Sequence, residues 1–172
     1  MKSTLLFVLV ACVFSASIKG QGRGSSPLGE NMFLNWMVDG EMITMTLTGP
    51  DGGWIGVGTS EDGHMIYADL FVGWVRNGDV VGMDMHGMGM DGPPMLDHEQ
   101  HGEILDFTSD GTTQTITFRR ALDTGDTSEH GDRPIELAPM NVLWAWGAIG
   151  VDGMPDYHGP GQRGHLVIDF SQ

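Results

Sequence analysis

From Met32 onward the chain alternates apolar and polar residues in short runs, and turn pairs separate the runs. A period of two places successive side chains on opposite faces, which is the mark of a half-buried strand. Met32 to Val38 and Glu41 to Leu47 flank Asp39-Gly40, a two-residue hairpin signal. In the second run Ile43, Met45 and Leu47 fall on one face and Met42, Thr44 and Thr46 on the other. Asp51-Gly52-Gly53 marks another turn, followed by a strand over Trp54 to Gly58. Ala68 to Val75 and Val80 to Met85 flank Asn77-Gly78, and Glu103 to Phe107 and Thr113 to Phe118 flank Asp110-Gly111. Asn141 to Ile149 and His165 to Phe170 complete the set. No segment holds a helical period with caps. Short strands at regular spacing, with 27 glycines in the chain, predict a monomeric all-β sandwich of about nine to eleven antiparallel strands.

The N-terminus reads differently. Lys2 precedes an unbroken apolar run, Leu5 to Phe14, and small or polar residues follow to Gly20. That order is a secretory signal peptide over residues 1–20, too short to span a bilayer. Residues 21–29 (QGRGSSPLG) have a flexible linker's composition. One domain is expected over 30–172, long enough for a sizeable core. The expectation is a secreted, extracellular protein that is not anchored in a membrane.

Charge narrows the partners. Both lysines, Lys2 and Lys19, lie within the signal. The remainder keeps six arginines against 23 acidic residues, a net charge of −17 with histidines neutral. Such a surface repels nucleic acid and anionic membranes and attracts cations. The acids are scattered through turns and strand ends, so solubility and association with calcium or mineral are both readings of them. The only cysteine, Cys12, is lost with the signal, which excludes a disulfide and a cysteine nucleophile from the processed chain. H-E-x-x-H, G-x-S-x-G and Walker motifs are absent from the sequence.

Four segments in order resemble the DOMON domain family. They are Gly53-Trp54-Ile55-Gly56-Val57-Gly58; Gly63-His64-Met65-Ile66-Tyr67-Ala68-Asp69-Leu70 and the strand after it; Phe118-Arg119-Arg120-Ala121-Leu122-Asp123-Thr124-Gly125-Asp126; and Trp144-Ala145-Trp146-Gly147 with Tyr157-His158 beyond. The resemblance covers roughly residues 30–170 and implies an immunoglobulin-like β-sandwich that binds a heme, a sugar or a metal ion. It also implies two sites. Heme-binding members hold the iron with a Met before the A-D strand and a His before the last strand, and Met65 and His158 stand there. These two would close both axial positions of a b-type heme. Relatives of the monooxygenase type place a cation near the A-D position. Asp69 and Leu70 match it, Asp84 lies on the paired strand, and Asp97, Glu99 and His101 compete for a further ligand. Calcium suits such oxygen donors. Alternatively, Asp69 caps a turn or pairs with Arg120 inside the sandwich.

The residues themselves suggest a third site. Met83, Met85, His86, Met88 and Met90 concentrate soft and borderline donors suited to copper. Methionine also fills irregular cores readily, and the glycines and prolines that follow mark a flexible loop. Three functional expectations result. The first is a stand-alone, non-catalytic ligand-binding module for b-type heme or a metal ion. The second is an acidic extracellular-matrix protein of a calcified tissue. The third is an extracellular copper-binding or redox protein. The monooxygenases carry further copper domains and the redox cytochromes a flavin or membrane domain, so their absence here argues for binding over catalysis.

Overall fold

A computed structural model describes residues 22–90 and 92–172; the expected signal peptide lies outside the described residues. Strand β2 (Met32–Asp39) buries Met32, Leu34, Trp36 and Val38 and exposes the residues between them. Its hairpin partner β3 (Met42–Pro50) buries Ile43, Met45 and Leu47. β9 (Thr113–Ala121) lies against β3 and turns Gln114, Ile116, Phe118 and Arg120 inward. β1 (Arg23–Gly29) and β8 (Glu103–Ser109) complete a five-stranded sheet in the order β1-β2-β3-β9-β8.

The second sheet contains β4 (Trp54–Ser60), β5 (Asp69–Arg76), β6 (Asp79–His86), β7 (Met95–Leu96), β10 (Pro139–Gly147) and β11 (Arg163–Asp169). Its order is β11-β10-β4-β5-β6-β7, and every strand pairing among the described residues is antiparallel. The described residues contain no helix. The predicted sandwich is thus present, with eleven strands among the described residues. The hairpins lie where the turn pairs put them. At Asn77-Gly78 both residues have positive φ, 54° and 91°, the mirror-image turn whose twist matches the flanking strands.

The inner faces enclose one core. Phe71 of β5 stacks on Phe118 of β9 with ring centroids 3.9 Å apart, and Ile43, Leu47, Ile55, Val57, Ile116 and Val142 pack around them. β5 is buried on both faces over its first six residues. Its outward side chains are covered by the segments before β5 and after β10.

Residues 23–29 correct the linker expectation. They form β1, paired from Arg23↔Met37 to Gly29↔Met32, with Leu28 in the core. An edge strand is held by main-chain hydrogen bonds and needs few apolar side chains, so its composition can imitate a linker. Gly24 lies under the Trp36 ring, where a Cβ would come within 2.1 Å of ring carbon. That glycine reflects close packing. β7, which no alternation in the sequence marks, is a second short edge strand.

Candidate functional site

Two groups of chemistry-bearing residues flank the six-stranded sheet, one on each face. On the outward face Leu70, Val72 and Trp74 of β5 stand beside Val81, Met83 and Met85 of β6 and Leu143 and Ala145 of β10. Between them β4 presents Gly56 and Gly58, in register with Ala145 and Val72 and with Leu143 and Leu70. Met65 packs at one end of this face, against Ala68, Leu70 and Leu143. Its segment is tied to β6 through Tyr67 N–H to Gly87 O (3.1 Å) and Gly87 N–H to Ala68 O (2.8 Å).

His158 is the corresponding residue after β10. It is buried, and its ring lies 6.2 Å from Trp54 and 4.7 Å from Tyr157, centroid to centroid. Trp54 anchors this segment by donating from Nε1 to the Asp156 carbonyl at 2.9 Å. The Nδ1 of His158 is buried without a hydrogen-bond partner. Burial, reinforced by the Arg163 charge, pushes its pKa below the ordinary value. The imidazole is therefore neutral near pH 7 and keeps a lone pair for a metal.

The second group lies on the inward face, where the apolar core gives way to charge. Arg120, next in the inward row after Ile116 and Phe118, donates from Nη1 to Asp69 Oδ2 at 2.7 Å. Both side chains are at least nine-tenths buried. Arg133 N–H donates to the same oxygen at 2.9 Å, and Arg120 Nη2 donates to the Arg133 carbonyl at 3.1 Å. Burial raises the Asp69 pKa, against the opposing pull of Arg120. Asp84 is 1% exposed, and burial followed by repulsion from Asp132 and Asp69 raises its pKa to about 7. Its Oδ2 accepts from His101 N–H at 3.0 Å and Gly102 N–H at 3.1 Å. Asp132 completes the group, 2.7 Å from His101 Nδ1 and 3.6 Å from Arg120 Nη2.

The residues singled out from sequence are redistributed by the fold. Met65 lies against Leu70 and Leu143 at the Gly58 end of β4, and His158 lies beside Trp54 at the other end. Asp69 pairs with Arg120, the alternative to cation binding. The Leu70 side chain points outward, away from Asp69 and Asp84. The copper set does not form one site. Alternation along β6 sends Met83 and Met85 outward and His86 inward, where it bonds Asp97 and stacks on His130 at 4.6 Å. Met88 and Met90 lie in the loop beyond, with Met90 70% exposed. Of the three competing residues, Asp97 is held by His86, His101 joins Asp84 through its main-chain N–H, and Glu99 is exposed, its Oε2 3.5 Å from His101 Nε2. Sequence reasoning missed Asp132. It sits in an irregular segment with no motif around it, and only the fold brings it to β6.

Residues 28–147 match the DOMON domain family. Among curated proteins, the chain is 33% identical over 171 residues to DBH-like monooxygenase protein 2 of Mus musculus, covering 92% of this chain and 27% of that protein. It is 31% identical over 123 residues to MOXD1 homolog 1 of Drosophila melanogaster, covering 67% of this chain and 17% of that protein. The chain thus spans about a quarter or less of these relatives' length. Among solved structures, the cytochrome b domain of pyranose dehydrogenase from Coprinopsis cinerea superposes with a TM-score of 0.62 at 18% identity, covering 81% of this chain and 77% of that one. The cytochrome domain of Myriococcum thermophilum cellobiose dehydrogenase gives 0.62 at 11% identity, covering 84% and 78%.

Proposed function

The chain belongs to the DOMON domain family, and from that premise we propose that it is a secreted, non-catalytic module that binds a b-type heme on the outward face of its six-stranded sheet. Met65 and His158 would be the axial ligands. The observation that carries the reading is His158 itself, a buried and neutral imidazole whose Nδ1 has no partner. An unpaired buried nitrogen costs about 1–3 kcal/mol, so an imidazole is held in this state for a reason, and metal ligation is one.

The donor set fits the group. A thioether and an imidazole are the pair that closes both axial positions of a low-spin heme. The two side chains flank one apolar face, built from Leu70, Val72, Met83, Met85, Leu143 and Ala145, where a flat hydrophobic ring would be shielded from water. Heme bound there supplies one-electron transfer. The protein's part is to hold the ring, exclude water and set the potential through the Met and His. The solved cytochrome domains share the fold, and their names support the same ligand class.

Hemin titration tests the reading. The purified protein is expected to develop a Soret band at one hemin per chain with a low-spin, six-coordinate spectrum. Met65→Ala and His158→Ala should each convert it to a five-coordinate or high-spin form. Failure of the wild-type protein to take up hemin refutes the proposal.

A further inference from the structure

We propose that β11 pairs edge to edge with β11 of a second copy of this chain, joining the two six-stranded sheets into one continuous sheet. β11 is the outermost strand of its sheet, with β10 on one side and no strand on the other. Trp146 N–H donates to the Gln162 carbonyl at 2.9 Å, and Phe170 N–H to the Ala138 carbonyl at 3.4 Å. With Trp144↔Gly164 and Val142↔Leu166 in register between them, the even-numbered residues of β11 are the ones that bond β10. Bonded and non-bonded pairs alternate along an antiparallel ladder. Arg163, His165, Val167 and Asp169 therefore turn their main-chain N–H and C=O groups to the open edge.

An open row of main-chain donors and acceptors is a template for another strand, and proteins ordinarily blunt it. The other three sheet edges among the described residues are blunted. β1 carries Pro27 and a register shift between Pro27 and Gly29. β8 shifts register between Ile104 and Asp106, and β7 is two residues long. β11 has seven residues, no proline and no shift. β1 passes on its inward side, where Gly29 and Gly164 both lie against the Trp144 ring, and forms no ladder with it.

Charge selects the partner and the register. Arg119, Arg120 and Arg133 each meet a carboxylate within the chain. The exposed Arg163 meets none among the described residues. At the other end of β11, Asp169 uses Oδ1 to accept from Ser171 N–H at 3.0 Å and Ser171 Oγ at 2.6 Å, and its Oδ2 has only Gln172 at 3.4 Å. Antiparallel self-pairing centred on Leu166 overlays the whole strand and makes bonded pairs of the residues whose main chain is free. It sets Arg163 opposite the partner's Asp169 at both ends of the ladder, and His165 opposite the partner's Val167. Centring on His165 or on Val167 loses both Arg163–Asp169 pairs. Opposite charges facing each other across two strands contribute about 0.2–1 kcal/mol per pair. Val167, 63% exposed on its own, gains a neighbour.

The ladder is about 24 Å long at ~3.4 Å per residue, and contacts of that size associate weakly. Facing residues of an antiparallel pair point to the same side of the sheet. The outward faces of the two copies would therefore lie on one side of the joined sheet. The inference is independent of whether heme binds there.

Sedimentation velocity on the purified protein without hemin, over rising concentration, is expected to show a monomer–dimer equilibrium. Hydrogen exchange should gain protection with concentration at the amides of His165 and Val167, while those of Leu166 and Ile168, already bonded to β10, stay unchanged. Val167→Pro removes an edge-facing N–H and no bond within the chain, a position where an edge strand accepts proline; it should weaken the dimer by at least ~tenfold, since both copies lose a bond. Arg163→Asp should weaken it by about tenfold, and the swapped double variant Arg163→Asp/Asp169→Arg should restore it. The charge variants decide the matter even where the proline variant folds poorly. A protein that stays monomeric at every concentration overturns the proposal. So does a dimer indifferent to Val167→Pro in a natively folded variant, or a charge swap that associates no better than Arg163→Asp alone.

Discussion

Replacing Arg120 with Met removes the cation from a buried cluster of three carboxyls while keeping most of the side chain's volume. Arg120 and Asp69 meet at 2.7 Å with side chains 6% and 5% exposed, so little solvent screens the pair. The same guanidinium donates to the Ala121 and Arg133 carbonyls. Breaking one partner of such a pair costs about 3–5 kcal/mol, chiefly because the other charge is left buried and uncompensated. For a domain of this size that lowers Tm by about 6–20 °C. The pH response gives a second handle. Asp69 already has a folded pKa above its unfolded value, and losing Arg120 raises it further. A group raised in this way stabilises the fold fully below its unfolded pKa, and the benefit is lost as pH rises through the folded pKa. The variant's deficit should therefore shrink on acidification from neutral pH toward pH 5. Chemical denaturation with the double variant Arg120→Met/Asp69→Leu completes the assay. An apolar pair of similar volume should recover most of the loss. If the single variant lies within about 1 kcal/mol of the wild type, or the double is no more stable than the single, the picture of a strongly coupled buried pair is wrong.

Three further outcomes follow from the packing. Gly24→Val should cost about 1–3 kcal/mol, because its Cβ would enter the Trp36 ring; a denaturant curve identical to wild type would restore residues 23–29 to a linker. Phe118→Ala should cost about 3–5 kcal/mol by emptying the space against Phe71, measured as a lower denaturation midpoint with an unchanged slope. Trp54→Phe removes the bond to the Asp156 carbonyl and should cost about 1 kcal/mol. It should also weaken hemin binding severalfold by loosening the segment that carries His158, as followed by Soret titration.

Much of the architecture was legible because alternation and turn chemistry are local. Where one face of a strand is buried and the other is wet, as in β2 and β3, the polar pattern reports the pleat directly. Where both faces are buried, as in β5, the apolar run still reads as a strand but hides which residues face which layer. β1 escaped notice because an edge strand needs main-chain pairing more than apolar side chains. The axial candidates Met65 and His158 could be named from their place in the chain, yet nothing in their spacing says that both loops fold over one face. The copper reading failed for the opposite reason: neighbours along β6 are sent to different sides of the sheet.

The amino-acid order alone determined the all-β class, the hairpins and the row Ile43, Met45, Leu47 that shares one face, since each depends on contacts between residues near in sequence or on a period of two. Tertiary structure alone decided that Asp69 belongs to Arg120 and that Asp84, on β6, meets His101 and Asp132 from separate loops. Those groups are brought together by the packing of two sheets, and a low-dielectric interior couples charges that in the extended chain would each be solvated and independent.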